Sequence, residues 1–312
     1  MTTFGGVIPI LATPFRADDE ALDLESWERL IEFMIELGVD GLTILGVLGE
    51  SNRLTDQERQ TLIRTAVALV RRRVPVIVGA SHSGTRAAGE LARMAEDLGA
   101  DAVMIAPGKE AVPSDDRIVE TYQRIADAIG IPIVLQDHPA STEVHLSVPL
   151  MLRLVREVAA IHCIKEEAVP TAPKIRQLRG DNSVRPLPIL SGLGALYAPF
   201  DLEAGSDGFN TGFAFPEVLM AMVAAARARE WGRVHDLYSR FAALIVLEQQ
   251  PGVAVRKEIL RRRGVLASSR ARHPGASISA PMAAHVESLL ARTLPGVDIT
   301  RPIAVDDMVL HP

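Results

Sequence analysis

Eight short runs of apolar residues, rich in Val, Ile and Leu, recur along the first two thirds of the chain, and helical patterns separate them. Strand-like runs that alternate with helix-like segments indicate parallel β/α units. The runs are continuously apolar, which is typical of strands in a parallel sheet that helices cover. The predicted strands lie within residues 6–15, 41–46, 75–82, 102–107, 132–139, 160–167, 188–194 and 208–215.

The ends of the intervening helices are also marked. Thr55 and Glu58 have the spacing of a capping box. Gly38 and Gly99 each follow a helical pattern and precede a strand, where a left-handed residue commonly ends a helix. Eight such units predict an α/β fold of the (β/α)8 TIM-barrel type. An open doubly wound sheet is disfavoured, because no G-x-G-x-x-G sequence follows the first strand.

The last third of the chain has helical periodicity with no strand between the helices. We therefore predict a barrel with the active site over residues 1–230, and a C-terminal helical appendage and tail over residues 231–312. Helical patterns cover residues 222–229, 232–247, 252–263 and 280–291. Pro295, Pro302 and Pro312 predict an extended tail after Leu294.

Charge and cysteine content exclude several classes of function. The 312 residues contain 33 Lys and Arg against 39 Asp and Glu, and the basic residues form no stripe. Nucleic acid is therefore not an expected partner. Charged residues interrupt every apolar stretch, so no membrane span is expected. The single cysteine, Cys163, allows no internal disulfide, and no signal-peptide pattern opens the sequence, so we expect a cytoplasmic protein.

Barrel enzymes carry their active sites at the carboxyl ends of the strands, and Lys165 lies there in the sixth run. Only four of the 33 basic residues are lysine, so a lysine within an apolar strand invites a specific explanation. Burial favours a neutral amine, which attacks carbonyl groups and forms Schiff bases. The alternative is a rim lysine that pairs with Glu166 or Glu167.

Alternation along a strand separates these two glutamates. Residues two apart face the same side, so Glu167 should point into the barrel with Lys165, and Glu166 toward the helices. Glu167 is thus the better acid-base candidate, although it could also be a structural counter-ion of the lysine.

Further candidates follow the other strands. Gly46, Val47, Leu48, Gly49 and Glu50 form a glycine-flanked turn whose backbone N–H groups could approach a carboxylate. His82 ends the third run and could move protons, or it could be a hydrogen-bonded structural residue. Polar groups also occur at the ends of the fifth, seventh and eighth runs, namely Gln136, Asp137, Ser141, Ser191, Asn210 and Thr211. His82, Asp137 and His138 lack a diagnostic metal-ligand spacing, so no metal site is expected.

These motifs resemble the dihydrodipicolinate synthase and N-acetylneuraminate lyase superfamily. The resemblance rests on the G-x-x-G-E turn at residues 46–50, L-x-x-x-P at residues 135–139 and I-K-E at residues 164–166, and it extends over almost the whole chain. It implies a class I lyase in which Lys165 forms a Schiff base with a 2-oxo acid such as pyruvate, without any other cofactor. It also implies a homo-oligomer, either a tetramer or a dimer.

Departures from the family pattern narrow the expected reaction. Most members have tyrosine where this chain has Gln136, and an amide cannot relay a proton. Dihydrodipicolinate synthases have two threonines where Val47 and Leu48 lie here, and an arginine in place of Ser141. The sequence Q-D-x-P-A-S at residues 136–141 instead resembles members that dehydrate 2-keto-3-deoxy sugar acids, in particular the 2-keto-3-deoxy-L-arabonate dehydratases, although the intact glycine turn departs from that subgroup.

The resemblance therefore predicts a dehydratase of a 2-keto-3-deoxy sugar acid. Lys165 would be the nucleophile and Glu167 the base, and His82 or a water held by Ser141 would assist loss of the hydroxyl. Gln136 is a further catalytic candidate. The alternatives are a pyruvate-dependent aldolase, a dihydrodipicolinate synthase-type condensation, and a catalytically silent barrel that binds a 2-oxo acid.

Overall fold

Eight parallel strands form the centre of the molecule. The computed structural model describes residues 4–112, 114–249 and 252–305. The strands are β1 (Gly6–Pro9), β2 (Leu42–Ile44), β3 (Val76–Gly79), β4 (Ala102–Ile105), β5 (Ile133–Asp137), β6 (Ile161–Glu166), β7 (Ile189–Ser191) and β8 (Gly208–Thr211). Each strand lies within one of the eight predicted runs.

The strands pair in the order β1-β8-β7-β6-β5-β4-β3-β2. Between the two outer strands of this order, Ile10 and Thr43 form a parallel bridge, and the Leu11 N–H donates to the Thr43 carbonyl at 2.8 Å. The sheet thus closes almost completely, and the predicted (β/α)8 barrel is confirmed.

Helices surround the barrel on its outer face. They are α1 (Leu24–Leu37), α2 (Asp56–Val70), α3 (Thr85–Asp97), α4 (Asp115–Ala126), α5 (Pro139–Thr142), α6 (Val148–Glu157), α7 (Thr171–Gly180), α8 (Ala198–Glu203) and α9 (Pro216–Arg227). The predicted capping box of α2 is confirmed, since the Thr55 side chain accepts from the Glu58 N–H and the Glu58 carboxylate accepts from the Thr55 N–H. Gly38 and Gly99 both have the predicted left-handed backbone.

Two separate apolar clusters follow from the alternation of side chains along the strands. The larger lies between the strands and the helices. The smaller fills the barrel interior and consists of Phe4, Ile8, Ile77, Ala102, Met104, Val134, Cys163 and Leu190. Because Lys165 lies two residues after Cys163, and Gln136 two after Val134, both polar side chains continue the interior toward the carboxyl ends of the strands.

Three more helices follow the barrel: α10 (Trp231–Glu248), α11 (Ala254–Arg262) and α12 (Ala280–Thr293). The predicted C-terminal helices are therefore present, while the division of the chain at residue 230 stays a prediction. Ile303 and Val305, in the predicted extended tail, are buried against the core, and the remainder of that tail, residues 306–312, lies outside the described residues. No helix in the described part of the chain is long and apolar enough to cross a membrane.

Candidate active site

Lys165 and Glu167 meet inside the carboxyl end of the barrel. Lys165 Nζ lies 3.0 Å from Glu167 Oε2, and both side chains are almost fully buried, with 1% and 6% exposure. Lys165 is on β6 and Glu167 is the first residue after it, so the even spacing directs both side chains inward. A buried lysine with one carboxylate beside it has the composition needed for a nucleophile and its proton carrier.

Two other groups hold the Glu167 carboxylate. Gln136 Nε2 donates to Oε2 at 2.7 Å, and the Leu193 N–H donates to Oε1 at 3.1 Å. Burial acts to raise the pKa of Glu167, but the charges of Lys165 and His138 and the Gln136 hydrogen bond outweigh it, so the pKa is lowered. Glu167 is therefore an oriented carboxylate that can accept a proton.

The neighbouring strand residues face the opposite side of the barrel wall. In the ladder, Gln136 pairs with Lys165, whereas Asp137 and Ser191 both pair with Glu166. The Asp137 carboxylate binds the Lys174 ammonium of α7, and Glu166 Oε2 lies 3.7 Å from the same Nζ. Asp137 was predicted to bind substrate, but the structure places it in this cluster of charges behind the strands.

Burial strongly affects the two carboxyl groups of that cluster. It raises the pKa of Glu166 to about 8, with the Asp137 charge acting in the same direction against Lys174. The pKa of Asp137 is raised as well, again by burial and against the Lys174 hydrogen bond. Ser191 lies on the same side of the wall, where its Oγ donates to Ser206 Oγ at 3.0 Å. The structure thus does not bring Asp137 or Ser191 to Lys165.

The predicted glycine turn, residues 46–50, brings backbone groups and the buried charge of Glu50 to the mouth of the barrel. Val47–Gly49 form a single 3-10 turn between Gly46 and Glu50. The Val47 side chain is 53% exposed, whereas Glu50 is buried at 1%. Glu50 ends the turn with a left-handed backbone, with φ of 53°.

The partners of Glu50 come mainly from the C-terminal appendage. Its carboxylate binds the Lys257 ammonium of α11 and the Arg53 guanidinium, and it accepts the Arg272 N–H at 3.0 Å. Burial lowers the pKa of Lys257 to about 8, and the charge of Glu50 opposes this shift. Glu50 was predicted to bind substrate. Its oxygens are occupied by these protein groups, although it also lines the cavity at the barrel mouth, so a contact with substrate stays a prediction.

The two candidates on β8 differ in their position. Asn210 Nδ2 donates to Thr43 Oγ1 at 2.9 Å across the barrel interior, and Asn210 Oδ1 is buried without a hydrogen bond to protein. Thr211 Oγ1 accepts the Gly194 N–H at 2.6 Å. Asn210 therefore retains a free acceptor inside the barrel, whereas Thr211 fixes the loop that follows β7.

A cavity of about 560 Å³ opens at the mouth of the barrel. Gln136 lies in its wall, next to Lys165 in the ladder, together with Val47, Leu48, His82 and Ser141. His82 is exposed, and its Nδ1 accepts the Gly84 N–H at 2.9 Å. Six of the fourteen predicted site residues thus line one concave space, namely Val47, Leu48, Glu50, His82, Gln136 and Ser141. Its volume is in the range of small-molecule sites.

His138 is a residue that the sequence analysis left without a catalytic role. Its Nδ1 lies 2.6 Å from Ser141 Oγ, and the charges of Glu167 and Lys165 act on it. Burial lowers the pKa of His138, Glu167 acts to raise it, and Lys165 acts to lower it. Because this histidine lies beyond the end of β5, strand alternation could not show on which side of the wall it falls.

The few lysines of this chain are mostly found in ion pairs. Three of the four lysines are in buried or partly buried ion pairs: Lys165 with Glu167, Lys174 with Asp137, and Lys257 with Glu50. Lys257 therefore could have been selected for inspection on residue type alone. No group of three or more His, Cys, Asp or Glu suited to a metal ion occurs within the described ranges.

Comparisons with known proteins agree with this architecture. The profile of the Dihydrodipicolinate synthetase family matches residues 3–293. L-2-keto-3-deoxyarabonate dehydratase of Azospirillum brasilense is 39% identical over 86% of this chain and 88% of its own length. The 4-hydroxy-tetrahydrodipicolinate synthase of Methanocaldococcus jannaschii is 31% identical over 78% of this chain and 82% of its own.

Solved structures with the same fold include two informative relatives. Dihydrodipicolinate synthase from Rhodopseudomonas palustris superimposes with a TM-score of 0.88 at 37% identity, over 94% of this chain and all of that chain. YagE, a prophage protein of E. coli K12 solved in complex with pyruvate, has a TM-score of 0.84 at 28% identity and covers 93% of this chain and 98% of its own.

Proposed function

Because the chain belongs to the dihydrodipicolinate synthetase family, we propose that it is a Schiff-base-forming lyase that dehydrates a 2-keto-3-deoxy sugar acid. The observation that carries this proposal is the buried contact of 3.0 Å between Lys165 Nζ and Glu167 Oε2 at the carboxyl end of β6. The similarity to an L-2-keto-3-deoxyarabonate dehydratase over 86% of the chain supports a 2-keto-3-deoxypentonate as substrate.

The reaction begins at Lys165. Its amine attacks the C2 carbonyl carbon, water leaves, and a protonated imine forms. Glu167 then takes a proton from C3, and the electrons of that C–H bond move to the imine nitrogen to give an enamine. When those electrons return, the bond between C4 and its hydroxyl oxygen breaks, and a proton supplied to the hydroxyl lets it leave as water. Hydrolysis of the imine releases the product and restores Lys165, so the reaction needs no separate cofactor.

The other residues position the carboxylate and the substrate. Gln136 and the Leu193 N–H hold Glu167 beside the imine carbon, at hydrogen-bond distances of 2.7 and 3.1 Å. The Gly49 N–H already donates to the Gly46 carbonyl at 2.9 Å, so the other backbone N–H groups of the 46–49 turn bind the C1 carboxylate. Asn210 Oδ1 has no hydrogen-bond partner in the protein and is available to accept a hydrogen bond from the substrate inside the barrel. His82 and Ser141 line the outer part of the cavity, where the hydroxylated end of the substrate lies.

Borohydride trapping tests the covalent step directly. The protein is incubated with pyruvate and, separately, with L-2-keto-3-deoxyarabonate, reduced with sodium borohydride and mapped by peptide mass. We expect a stable adduct on Lys165 and none on Lys109, Lys174 or Lys257. The Lys165→Ala variant should give no adduct and no turnover. If wild-type protein is not trapped by any 2-oxo acid, the lyase assignment is wrong.

Product analysis separates dehydration from its alternatives. Dehydration yields a 2-oxo acid that has lost one water and keeps all its carbon atoms. Aldol cleavage between C3 and C4 instead yields pyruvate and an aldehyde. Condensation of pyruvate with an aldehyde would identify a synthase. A catalytically silent barrel would bind the 2-oxo acid with equal affinity in wild type and Lys165→Ala and would turn over none of these substrates.

We also propose that the protein is a homo-oligomer, a tetramer or a dimer, as expected for this family. Light scattering during gel filtration measures the mass directly against the 33.7 kDa of one chain. A single species of that mass would contradict the proposal. The 2-oxo acid remains the expected small-molecule partner.

A further inference from the structure

We propose that His138 and Ser141 form the proton relay that releases the C4 hydroxyl as water. This inference rests on the proposed dehydratase function and assigns a step that Lys165 and Glu167 leave open. His138 Nδ1 and Ser141 Oγ lie 2.6 Å apart, and Ser141 Oγ also lies at hydrogen-bond distance, 3.3 Å, from the His138 carbonyl. The serine hydroxyl is therefore coupled to the imidazole.

A short helical turn fixes this pair. His138 precedes α5, and its carbonyl accepts the Ser141 N–H at 3.1 Å and the Thr142 N–H at 3.2 Å. Pro139 occupies the first position of the turn, where its fixed φ favours the helical conformation. The imidazole and the hydroxyl are thus held three residues apart on one side of a single turn, with little freedom to separate.

His138 and Ser141 lie between the buried charges of Lys165 and Glu167 and the cavity at the barrel mouth. His138 is half-buried, and Glu167, Lys165 and Asp137 all act electrostatically upon it. Ser141 is exposed and lies in the wall of the same cavity as Gln136. A proton can therefore pass from an imidazole beside the catalytic carboxylate to a hydroxyl that faces the substrate.

The relay balances the reaction without any further reagent. Glu167 accepts the C3 proton as the enamine forms. As the C4–O bond breaks, the Ser141 hydroxyl gives its proton to the departing oxygen, and protonated His138 gives its Nδ1 proton to Ser141. One water leaves, His138 is left neutral, and both His138 and Glu167 return to their starting states by exchange with solvent.

This assignment also accounts for the absence from this chain of a residue that most of the family has. The tyrosine found in most members is replaced by Gln136, which binds Glu167 and cannot donate a proton at a useful pKa. His138 and Ser141 follow Gln136 by two and five residues, and His138 supplies a titratable group at the same end of β5. His82 is the histidine that lines the cavity, and among the described contacts its Nδ1 binds only the nearby Gly84 N–H.

The test compares His138→Asn and Ser141→Ala with wild type in two assays. Trapping of pyruvate on Lys165, and exchange of the pyruvate methyl protons with deuterated water, report the Schiff base and the Glu167 step. Single-turnover dehydration of L-2-keto-3-deoxyarabonate reports loss of the hydroxyl. We expect both variants to keep trapping and exchange within about twofold, and to lose about 10²-fold in dehydration. Ser141→Thr should recover most of the rate, because it restores a hydroxyl.

A pH profile and a matched histidine variant complete the experiment. Dehydration by wild type should slow as pH rises through the pKa of His138, and this alkaline fall should be absent in His138→Asn. His285→Asn, a change on the exposed face of α12, serves as the control and should behave as wild type.

Three results would overturn the relay. The first is a His138→Asn variant that dehydrates the substrate as fast as wild type does. The second is an equal loss of methyl exchange and of dehydration, which would indicate that the substitution has displaced Glu167. The third is a Ser141→Thr variant whose dehydration rate does not exceed that of Ser141→Ala, which would show that the hydroxyl is not used. If wild-type protein forms no adduct with pyruvate, the proposed function fails first and the relay fails with it.

Discussion

Glu167 packs directly against the backbone of Gly192. A Cβ placed on Gly192 would lie 2.1 Å from Glu167 Oε1 and 2.3 Å from its Cδ, far inside any allowed contact. The next residue, Leu193, donates its N–H to that same oxygen at 3.1 Å. The loop after β7 therefore forms a flat backbone surface on which the carboxylate rests, and a glycine is required there for reasons of space.

Gly192→Ala should displace Glu167 while leaving the barrel folded. We expect kcat to fall by about 10- to 100-fold, since a shift of about 1 Å in a reacting group costs this much. Turnover and a thermal melt measure the two effects separately. Gly232→Ala is the control: no atom lies within 4 Å of its added Cβ in α10, so activity should be unchanged. A fully active Gly192→Ala would show that the position of Glu167 is not critical.

Gln136→Met should leave the Glu167 carboxylate less well oriented and raise its pKa. The variant removes a hydrogen bond of 2.7 Å to the charged carboxylate, which acts to lower the pKa of Glu167. That pKa should rise, so the acidic limb of the rate profile should move to higher pH, with a loss of about threefold to tenfold in kcat at neutral pH. Gln57→Met, on the exposed start of α2, is the control. An unmoved acidic limb would contradict the role given to the amide.

Glu166→Gln should change how stability depends on pH. Burial raises the pKa of Glu166 to about 8, so between about pH 5 and 8 the folded protein binds a proton that the unfolded chain has released. The wild-type free energy of unfolding should therefore fall as pH rises through this window, by at most about 1.4 kcal/mol per pH unit from this residue. Denaturant unfolding at several pH values should give a shallower slope for the variant. A steeper slope would contradict this account.

Lys257→Met should destabilise the fold without touching the substrate. Removing the ammonium leaves Glu50 buried with fewer partners, at a cost of about 3–5 kcal/mol in the free energy of unfolding. Lys109→Met breaks an exposed pair with Glu143 and should cost less than about 1 kcal/mol. The double variant Glu50→Gln/Lys257→Met should be more stable than the sum of the single changes predicts, and strict additivity would argue against the pair.

Local periodicity was sufficient to predict the barrel. Continuous apolar runs specify buried parallel strands, and their alternation with helices leaves few other topologies. The same alternation separates Glu167 from Glu166 correctly in space, because strand geometry fixes which side each residue faces. Applied strictly, it also puts Asp137 outside the wall, opposite to Gln136.

Contacts made by loops were beyond this reasoning. Gly192 lies 25 residues after Glu167, and nothing local to either sequence indicates that they touch. The proximity of His138 to Ser141 depends on a turn whose direction strand alternation does not define. Glu50 was selected as a ligand of substrate because its turn was recognised, while its partner Lys257 was separated from it by most of the chain.

The pairing of Glu50 with Lys257 has a consequence for how the protein is made. The two residues are 207 positions apart, so the turn at the mouth of the barrel emerges from the ribosome long before the ammonium that neutralises its carboxylate. Domains generally fold as units during synthesis. Here a nascent chain that already holds all eight strands can pair Glu50 with Arg53 but still lacks Lys257. The cavity at the barrel mouth therefore gains its part of the wall at residues 252–253 only after every strand has been made.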